Sequence, residues 1–240
     1  MKYMGSKARF SNEILPIILQ GRQQNQCYVE PFAGGMNMIS EVGGNRIAND
    51  VHYYLIQMWK ELVVGWIPDK ISKEQYLDVK ANPNNYPSHF VGWVGFNCSY
   101  SGKWFGGFAD DYPESRRNKK GILPNYQMEA INNIPKQVEK LKGVIFQNKP
   151  YDELELPPNS IVYCDPPYEG TTGYADDFNH NTFWEWVREI SKQGHSVFVS
   201  EYNAPDDFEC LWQKEAKSSL SANGKIGGNK ISVEKLFRLK

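Results

Sequence analysis

An α/β fold built on a parallel sheet is what the sequence predicts, and three observations predict it. Five short apolar runs recur along the chain: QCYVE (26–30), RIAND (46–50), GVIFQ (143–147), SIVYC (160–164) and SVFVS (196–200). Their continuous apolar character is that of strands buried on both faces. Between them lie stretches with helical spacing at 8–20, 36–43, 52–64 and 181–193, and strand–helix alternation builds a parallel sheet with helices on both sides. The 240 residues, 40% of them hydrophobic, suffice for one domain of this class, or one carrying an insertion.

Taken in order, the first helix candidate follows KYMGSK (2–7), where Ser6 or Ser11 could serve as an N-cap. Lys2 and Lys7 read as solvated charges, or else Tyr3 and Lys7, flanking Gly5, hold the amino-acid end of a ligand. The first strand closes at Glu30 and runs into Pro31-Phe32-Ala33-Gly34-Gly35. Adjacent glycines let the backbone turn tightly and approach a ligand, and in doubly wound sheets this first crossover lies where cofactors bind. Asp50 closes the second strand, 16 residues after Gly34. An acid near that spacing suits ribose hydroxyls, although Asp also caps helices well.

From about residue 64 to 134 the alternation stops and Asn, Pro, Gly, Trp and Tyr accumulate. A long stretch of that kind is usually functional. The chain therefore divides into 1–63 plus 135–240, the core domain, and 64–134, an inserted subdomain. The last stretch, 209–239, is expected to add an antiparallel pair around a glycine-rich loop at 223–228.

The fourth strand ends on Asp165-Pro166-Pro167-Tyr168. The prolines fix φ and stop the ladder, leaving the Asp165 and Pro166 carbonyls as acceptors in a stiff loop beside a tyrosine ring. A carboxylate, a carbonyl and a flat ring together fit a planar amine with two N–H bonds. A plain strand terminator is the alternative.

Composition narrows the classes. Lys and Arg number 27 against 28 Asp and Glu, a net charge of −1, so no global basic field advertises nucleic acid. No apolar run approaches the roughly 18 residues of a membrane helix, and the N-terminus lacks the apolar stretch of a signal peptide. Cys27, Cys98, Cys164 and Cys210 are far apart, and neither they nor the four histidines show zinc spacing. An intracellular protein without disulfides or metal is expected. Local patches remain for DNA. SGKWFGG (101–107) offers Lys103 and Trp104 in what looks like a tight hairpin, and Arg116, Arg117, Lys119 and Lys120 form the densest basic cluster. Basic groups interleaved with aromatics suit phosphate contact and insertion into the base stack. A solvated surface loop is the plainer reading.

KYMGSK, then VEPFAGG (29–35), then an acid ending the next strand, then YCDPPY (163–168) resembles the Dam-type adenine-specific DNA methyltransferases. The resemblance covers roughly 1–55 and 140–240, including the tail 218–237. In the middle it extends only to FNCSYSGKWFGGF (96–108), which is similar to mostly phage-borne members. It implies a Rossmann-like, mostly parallel seven-stranded sheet that binds S-adenosylmethionine, with 64–134 as target-recognition insertion. By motif, Tyr3 and Lys7 would meet the methionine end, and Glu30, Pro31, Phe32, Ala33, Gly34 and Gly35 would line the cofactor. Asp50 would take the ribose hydroxyls, with Asn148 and Tyr151 near the adenosine, and Asp165 would stand between cofactor and base. Asp165, Pro166, Pro167 and Tyr168 would be catalytic on an adenine flipped out of duplex DNA. Phe178 or Trp184 could wall that pocket, and core packing suits both at least as well. A monomer in the cytoplasm of a bacterial or phage-infected cell is expected, and the sequence leaves its role open between restriction–modification, phage self-protection and regulation. Cytosine 4-amino groups, RNA, protein amides, or noncatalytic DNA binding remain the rival readings. A nicotinamide dehydrogenase fits poorly, since the glycine loop is not Gly-x-Gly-x-x-Gly.

Overall fold

Seven strands form a single sheet in a computed structural model that describes residues 1–110, 121–169, 178–217 and 231–240. They are β1 (Tyr28–Glu30), β2 (Arg46–Asn49), β3 (Ile145–Gln147), β4 (Ile161–Cys164), β5 (Ser196–Glu201), β6 (Phe208–Lys217) and β7 (Ile231–Leu239). Their spatial order is β3-β2-β1-β4-β5-β7-β6. The first five are parallel, whereas β7 enters antiparallel to β5 and β6 antiparallel to β7. The sheet is therefore mostly parallel, with the expected antiparallel pair at one edge. The 223–228 loop that would join that pair lies outside the described residues.

Strand order dictates where a ligand can sit. From β1 the chain runs outward through β2 and β3, then returns to the other side of β1 for β4. That reversal is a topological switch point, and the crevice beyond the carboxyl ends of β1 and β4 is the ligand edge of such a sheet. Glu30 and Cys164 are the last residues of those two strands, so the glycine loop and the Asp165 tetrapeptide face one crevice.

Alternation along the strands feeds two cores. Tyr28, Ala48, Ile161, Tyr163 and Phe198 join one buried cluster with α1 (Ser11–Ile18), α2 (Tyr53–Val63) and α4 (Ser88–Asn97). Val29, Ile47, Val162, Cys164, Val197 and Val199 join the other, against α6 (His180–Lys192). Helices thus cover both faces. Three cysteines are buried and all four are unpaired. Among the described residues no helix is long and apolar enough to cross a membrane.

Three local expectations fail. GVIFQ does yield β3, but as an edge strand with Ile145 58% exposed rather than one buried on both faces. The stretch 36–43 forms turns and one 3-10 turn (Ile39–Glu41), not a helix. Gly34 at φ +48° and Met36 at φ +57° are left-handed, and helical hydrogen bonding cannot propagate through that geometry. The first helix also has no Ser cap. Ser6 Oγ accepts the Ala8 N–H, and Ser11 Oγ donates to the Ala8 carbonyl.

The segment 64–134 supplies α3 (Lys73–Ala81), α4 and the start of α5 (Tyr126–Leu141). Tyr76, Val91, Trp93, Val94 and Phe96 bury themselves in the same cluster as Tyr28 and Trp59. The composition boundary at 134/135 falls inside α5.

Candidate active site

The glycine loop is built by hydrogen bonds from β2. Asn49 Nδ2 donates to the carbonyls of Pro31 and Lys149, each at 2.9 Å, and the Ala33 N–H donates to the Asn49 carbonyl at 2.8 Å. Asp50 then accepts the Gly34 N–H on Oδ2 and the His52 N–H on Oδ1, both at 2.9 Å. Burial pushes the Asp50 carboxyl up to about 6, against the pull of those two N–H groups. Helix α2 is capped instead by His52, whose Nδ1 accepts the Leu55 N–H. Burial holds His52 down at about 4, hence neutral and able to accept. The helix-cap alternative for Asp50 is thereby displaced. A carboxylate has about four acceptor sites, so two remain for ligand hydroxyls.

Tyr3 lies over the same loop. A Cβ on Gly34 would sit 2.6 Å from Tyr3 Cε1, and one on Gly35 would sit 2.6 Å from Tyr3 Cβ. Only glycine permits this approach together with a positive φ at Gly34. Asn148 Nδ2 donates to the carbonyls of Asp50 (2.8 Å) and Val51 (3.0 Å), fastening the acid's own backbone. Phe32 is half-buried, with its ring 5.3 Å from Tyr151 and 5.8 Å from Phe178 and from Phe183. Trp184 belongs to the α6 core against Phe208 and does not wall the site.

Around the tetrapeptide, one lysine meets two acids, with Glu30 and Glu201 close to Asp165. Lys7, 5% exposed, places Nζ 2.9 Å from Asp165 Oδ1 and 3.7 Å from Glu234 Oε2, and donates to the Gly5 carbonyl at 3.0 Å. The solvated-charge reading holds for Lys2, which pairs with Glu129 at the surface, and fails for Lys7. Burial raises the Asp165 carboxyl above its ordinary value, Lys7 draws it back, and Glu234 raises it further. Glu30 is pushed up to about 8, chiefly by burial, with the Tyr28 hydroxyl opposing and Asp165 reinforcing. Glu201, at the end of β5, is raised to about 7 by burial and accepts the N–H groups of Tyr202 (2.7 Å) and Glu169 (3.2 Å).

Tyr168 corrects one expectation. Its ring is not held open: it is 8% exposed, Lys7 Nζ lies over it at 4.4 Å, Tyr202 meets it edge-on at 4.6 Å, and its hydroxyl donates to Glu234 at 2.9 Å. Trp104 corrects another. The loop carrying it is hairpin-like, closed by the Ser99–Phe108 bridge, and Lys103 is exposed. Trp104, however, packs against His52, Phe96 and Tyr54, and a Cβ on Gly95 would meet its ring at 2.1 Å. It is a brace between α2 and α4 rather than a free wedge. Tyr100 in the same loop is 57% exposed. Arg116, Arg117, Lys119 and Lys120 lie outside the described residues.

Glu201 and Glu234 are the acids that sequence reasoning missed. Glu201 ends a buried strand, the same signal that singled out Asp165. Glu234 has no such local mark, since only the β5–β7 pairing brings it opposite Tyr168.

Residues 3–91 and 112–218 match the family described as D12 class N6 adenine-specific DNA methyltransferase. Type II methyltransferase M.FokI of Planomicrobium okeanokoites is 26% identical over 207 residues, 78% of this chain. Modification methylase StsI of Streptococcus sanguinis is 24% identical over 205 residues, again 78% of this chain. The alignments cover 31% of each of these two relatives, so the chain spans about a third of their length. Both are bacterial, and neither supports a phage origin. The solved structure of a methylase candidate from Haemophilus influenzae aligns over 96% of this chain and 88% of its own, at 10% identity and a TM-score of 0.35. The fold assignment rests on the strand order above rather than on that likeness.

Proposed function

The chain belongs to the D12 class N6 adenine-specific DNA methyltransferase family, and from that premise we propose that it methylates the 6-amino nitrogen of adenine in double-stranded DNA, using S-adenosylmethionine, as a cytoplasmic monomer. The observation that carries the reading is the placement of Asp165. It leaves β4 at the switch point, 21% exposed and paired to Lys7, in the crevice that the glycine loop also faces.

The residues fit the cofactor. Asp165 and Glu234 both pair with Lys7, two carboxylates against one ammonium, a balance that favours a cationic sulfonium over an anionic ligand. Asp50 keeps acceptor capacity for ribose hydroxyls. Tyr3 and Lys7 would hold the methionine end, and Glu30, Pro31, Phe32, Ala33, Gly34 and Gly35 would line the rest, with Asn148 steadying Asp50. When bound, S-adenosylmethionine supplies a methyl group already activated by the sulfonium.

The chain's own task is the nucleophile. The lone pair of adenine's amino nitrogen is delocalised into the ring. Asp165 Oδ and the Pro166 carbonyl each accept one amine N–H, favouring a more tetrahedral nitrogen with its lone pair available. Both acceptors bind more strongly as that nitrogen becomes cationic, which is transition-state stabilisation. No strong base is needed first, because the proton can leave after transfer. The prolines hold the two acceptors in register. Tyr168 stacks on the flipped base, which requires Lys7 to leave the ring face it covers. Residues 64–134 form the target-recognition insertion, with Lys103 and the 116–120 cluster on the phosphates.

Incubation with mixed-sequence duplex DNA and S-adenosylmethionine, followed by mapping of modified bases by single-molecule sequencing, tests the reading. N6-methyladenine at a defined site is the expected result. Methylcytosine, methylated RNA or protein, or no product at all sinks it.

A further inference from the structure

We propose that Glu234 is a positioning residue for methyl transfer: it takes Lys7 over from Asp165 when the target amine arrives, and it holds the Tyr168 ring by its hydroxyl. The inference rests on the functional reading above and goes beyond it. The difficulty it resolves is visible in the structure. Asp165 must accept an amine N–H, yet the Lys7 ammonium, 2.9 Å from Oδ1, draws on the same carboxylate and also covers the Tyr168 ring at 4.4 Å. Lys7 is buried, so releasing it without another anion would strand a desolvated charge. Glu234 Oε2 stands 3.7 Å from the same Nζ, within about 1 Å of hydrogen-bond distance. The Gly5 carbonyl, 3.0 Å from Nζ, tethers the ammonium from a third side. Lys7 can therefore pivot from Asp165 to Glu234 without losing its tether, and the same shift alters the ring face it covers.

Glu234 is placed for this by topology. It sits in β7, on the face it shares with buried Leu236, and β7 pairs with β5 beside the β4 tetrapeptide. Its Oε2 receives the Tyr168 hydroxyl at 2.9 Å, and Oε1 is 4.0 Å from the exposed Arg9 guanidinium. One carboxylate thus touches both groups that must change places with a base: the ammonium over the ring and the ring itself. Without its charge, Asp165 is the only anion left within reach of Lys7 among the described residues.

Single-turnover methyl transfer at saturating cofactor and DNA tests the proposal in a double-mutant cycle. Glu234→Gln keeps an acceptor for Tyr168 and removes the charge. It is expected to slow transfer about tenfold or more while changing cofactor affinity less than about threefold, and to cost less than about threefold in a Lys7→Gln background. Tyr168→Phe, which keeps the ring, separates the hydroxyl contact from the effect through Lys7. An equal loss in both backgrounds, or no loss in either, overturns the proposal. Should Glu234→Gln fail to fold, the wild-type complex with duplex DNA and S-adenosylhomocysteine decides: Lys7 bonded to Glu234 supports it, and Lys7 still bonded to Asp165 beside a flipped adenine overturns it. A wild-type protein that methylates no adenine defeats the functional reading itself, a result distinct from an active enzyme indifferent to Glu234.

Discussion

Asp50 Oδ2 accepts the backbone N–H of Gly34 at 2.9 Å, so two features separated by 16 residues form one hydrogen-bonded unit. The carboxylate proposed for a ribose also fixes the turn proposed for the rest of the cofactor. Gly34 pays in two ways for any side chain: φ is +48°, and a Cβ would lie 2.6 Å from Tyr3 Cε1. Gly34→Ala should destabilise the fold by about 1–3 kcal/mol. Adding Tyr3→Ala should recover the steric part of that loss and leave the backbone strain. Urea midpoints of the two single variants and the double variant check this, and strict additivity would contradict it.

Glu30 ties stability to pH. Burial raises its carboxyl to about 8, above the ordinary value of about 4.3 for an unfolded chain. Between those values the folded state binds more protons than the unfolded one, so stability falls as pH rises through the window. Glu201, raised to about 7, and Asp50, raised to about 6, act in the same direction. Glu30→Gln should therefore flatten the decline between about pH 4.5 and 8 and gain on the wild type at the alkaline end, on the order of a few kcal/mol. Urea unfolding at pH 5 and pH 8.5 measures it. Parallel curves for the two proteins would rule the assignment out.

Asp165→Ala should reduce methyl transfer by at least about a thousandfold, as expected for losing a charged acceptor aimed at a developing cation. The fold should survive, because Lys7 retains Glu234 and the Gly5 carbonyl. Rate and circular dichroism must be read together. Near wild-type transfer from a folded variant defeats the mechanism. In the wild type, the rate should fall on the acid side as Asp165 protonates. Burial places that limb above the ordinary carboxylate range, with Lys7 limiting the displacement. A pH–rate profile in single turnover locates it.

What could be seen in the sequence was what apolar runs and strand-ending acids reveal. Strands β1, β2, β4 and β5 are short and buried, and Asp50 and Asp165 follow directly on β2 and β4. Helix α4 escaped because Val91 to Asn97 are all buried, so no polar stripe marks its period. Helix α3 carried a readable signal, Ser72 accepting the Gln75 N–H, inside a segment whose Asn and Pro content suggested loops. The false helix at 36–43 came from apolar residues at helical spacing (Met36, Met38, Ile39, Val42) that the turns bury one by one. Glu234 is 66 residues from its Tyr168 partner, and no local pattern encodes a meeting set by where β7 enters the sheet.

The proposed DNA surface divides between packing and charge. Trp104 fills the space over Gly95 and stacks on Tyr54 with ring planes 17° apart, so Trp104→Ala should act on stability, costing about 2–4 kcal/mol for a half-buried aromatic. Lys103 is exposed, and truncating it should leave stability unchanged. Its effect belongs to binding: each phosphate-contacting lysine removed should reduce the slope of log K against log salt by about one. Lys103→Ala is therefore predicted to flatten the salt dependence of duplex binding at unaltered Tm, and the pair Lys119→Ala, Lys120→Ala to flatten that salt dependence likewise. Trp104→Ala should lower Tm while the slope stays as in the wild type. An unchanged slope in the lysine variants moves the phosphate contacts elsewhere. An unchanged Tm with weakened DNA binding in Trp104→Ala would return that ring to the role of a wedge, freed from its packing by the duplex.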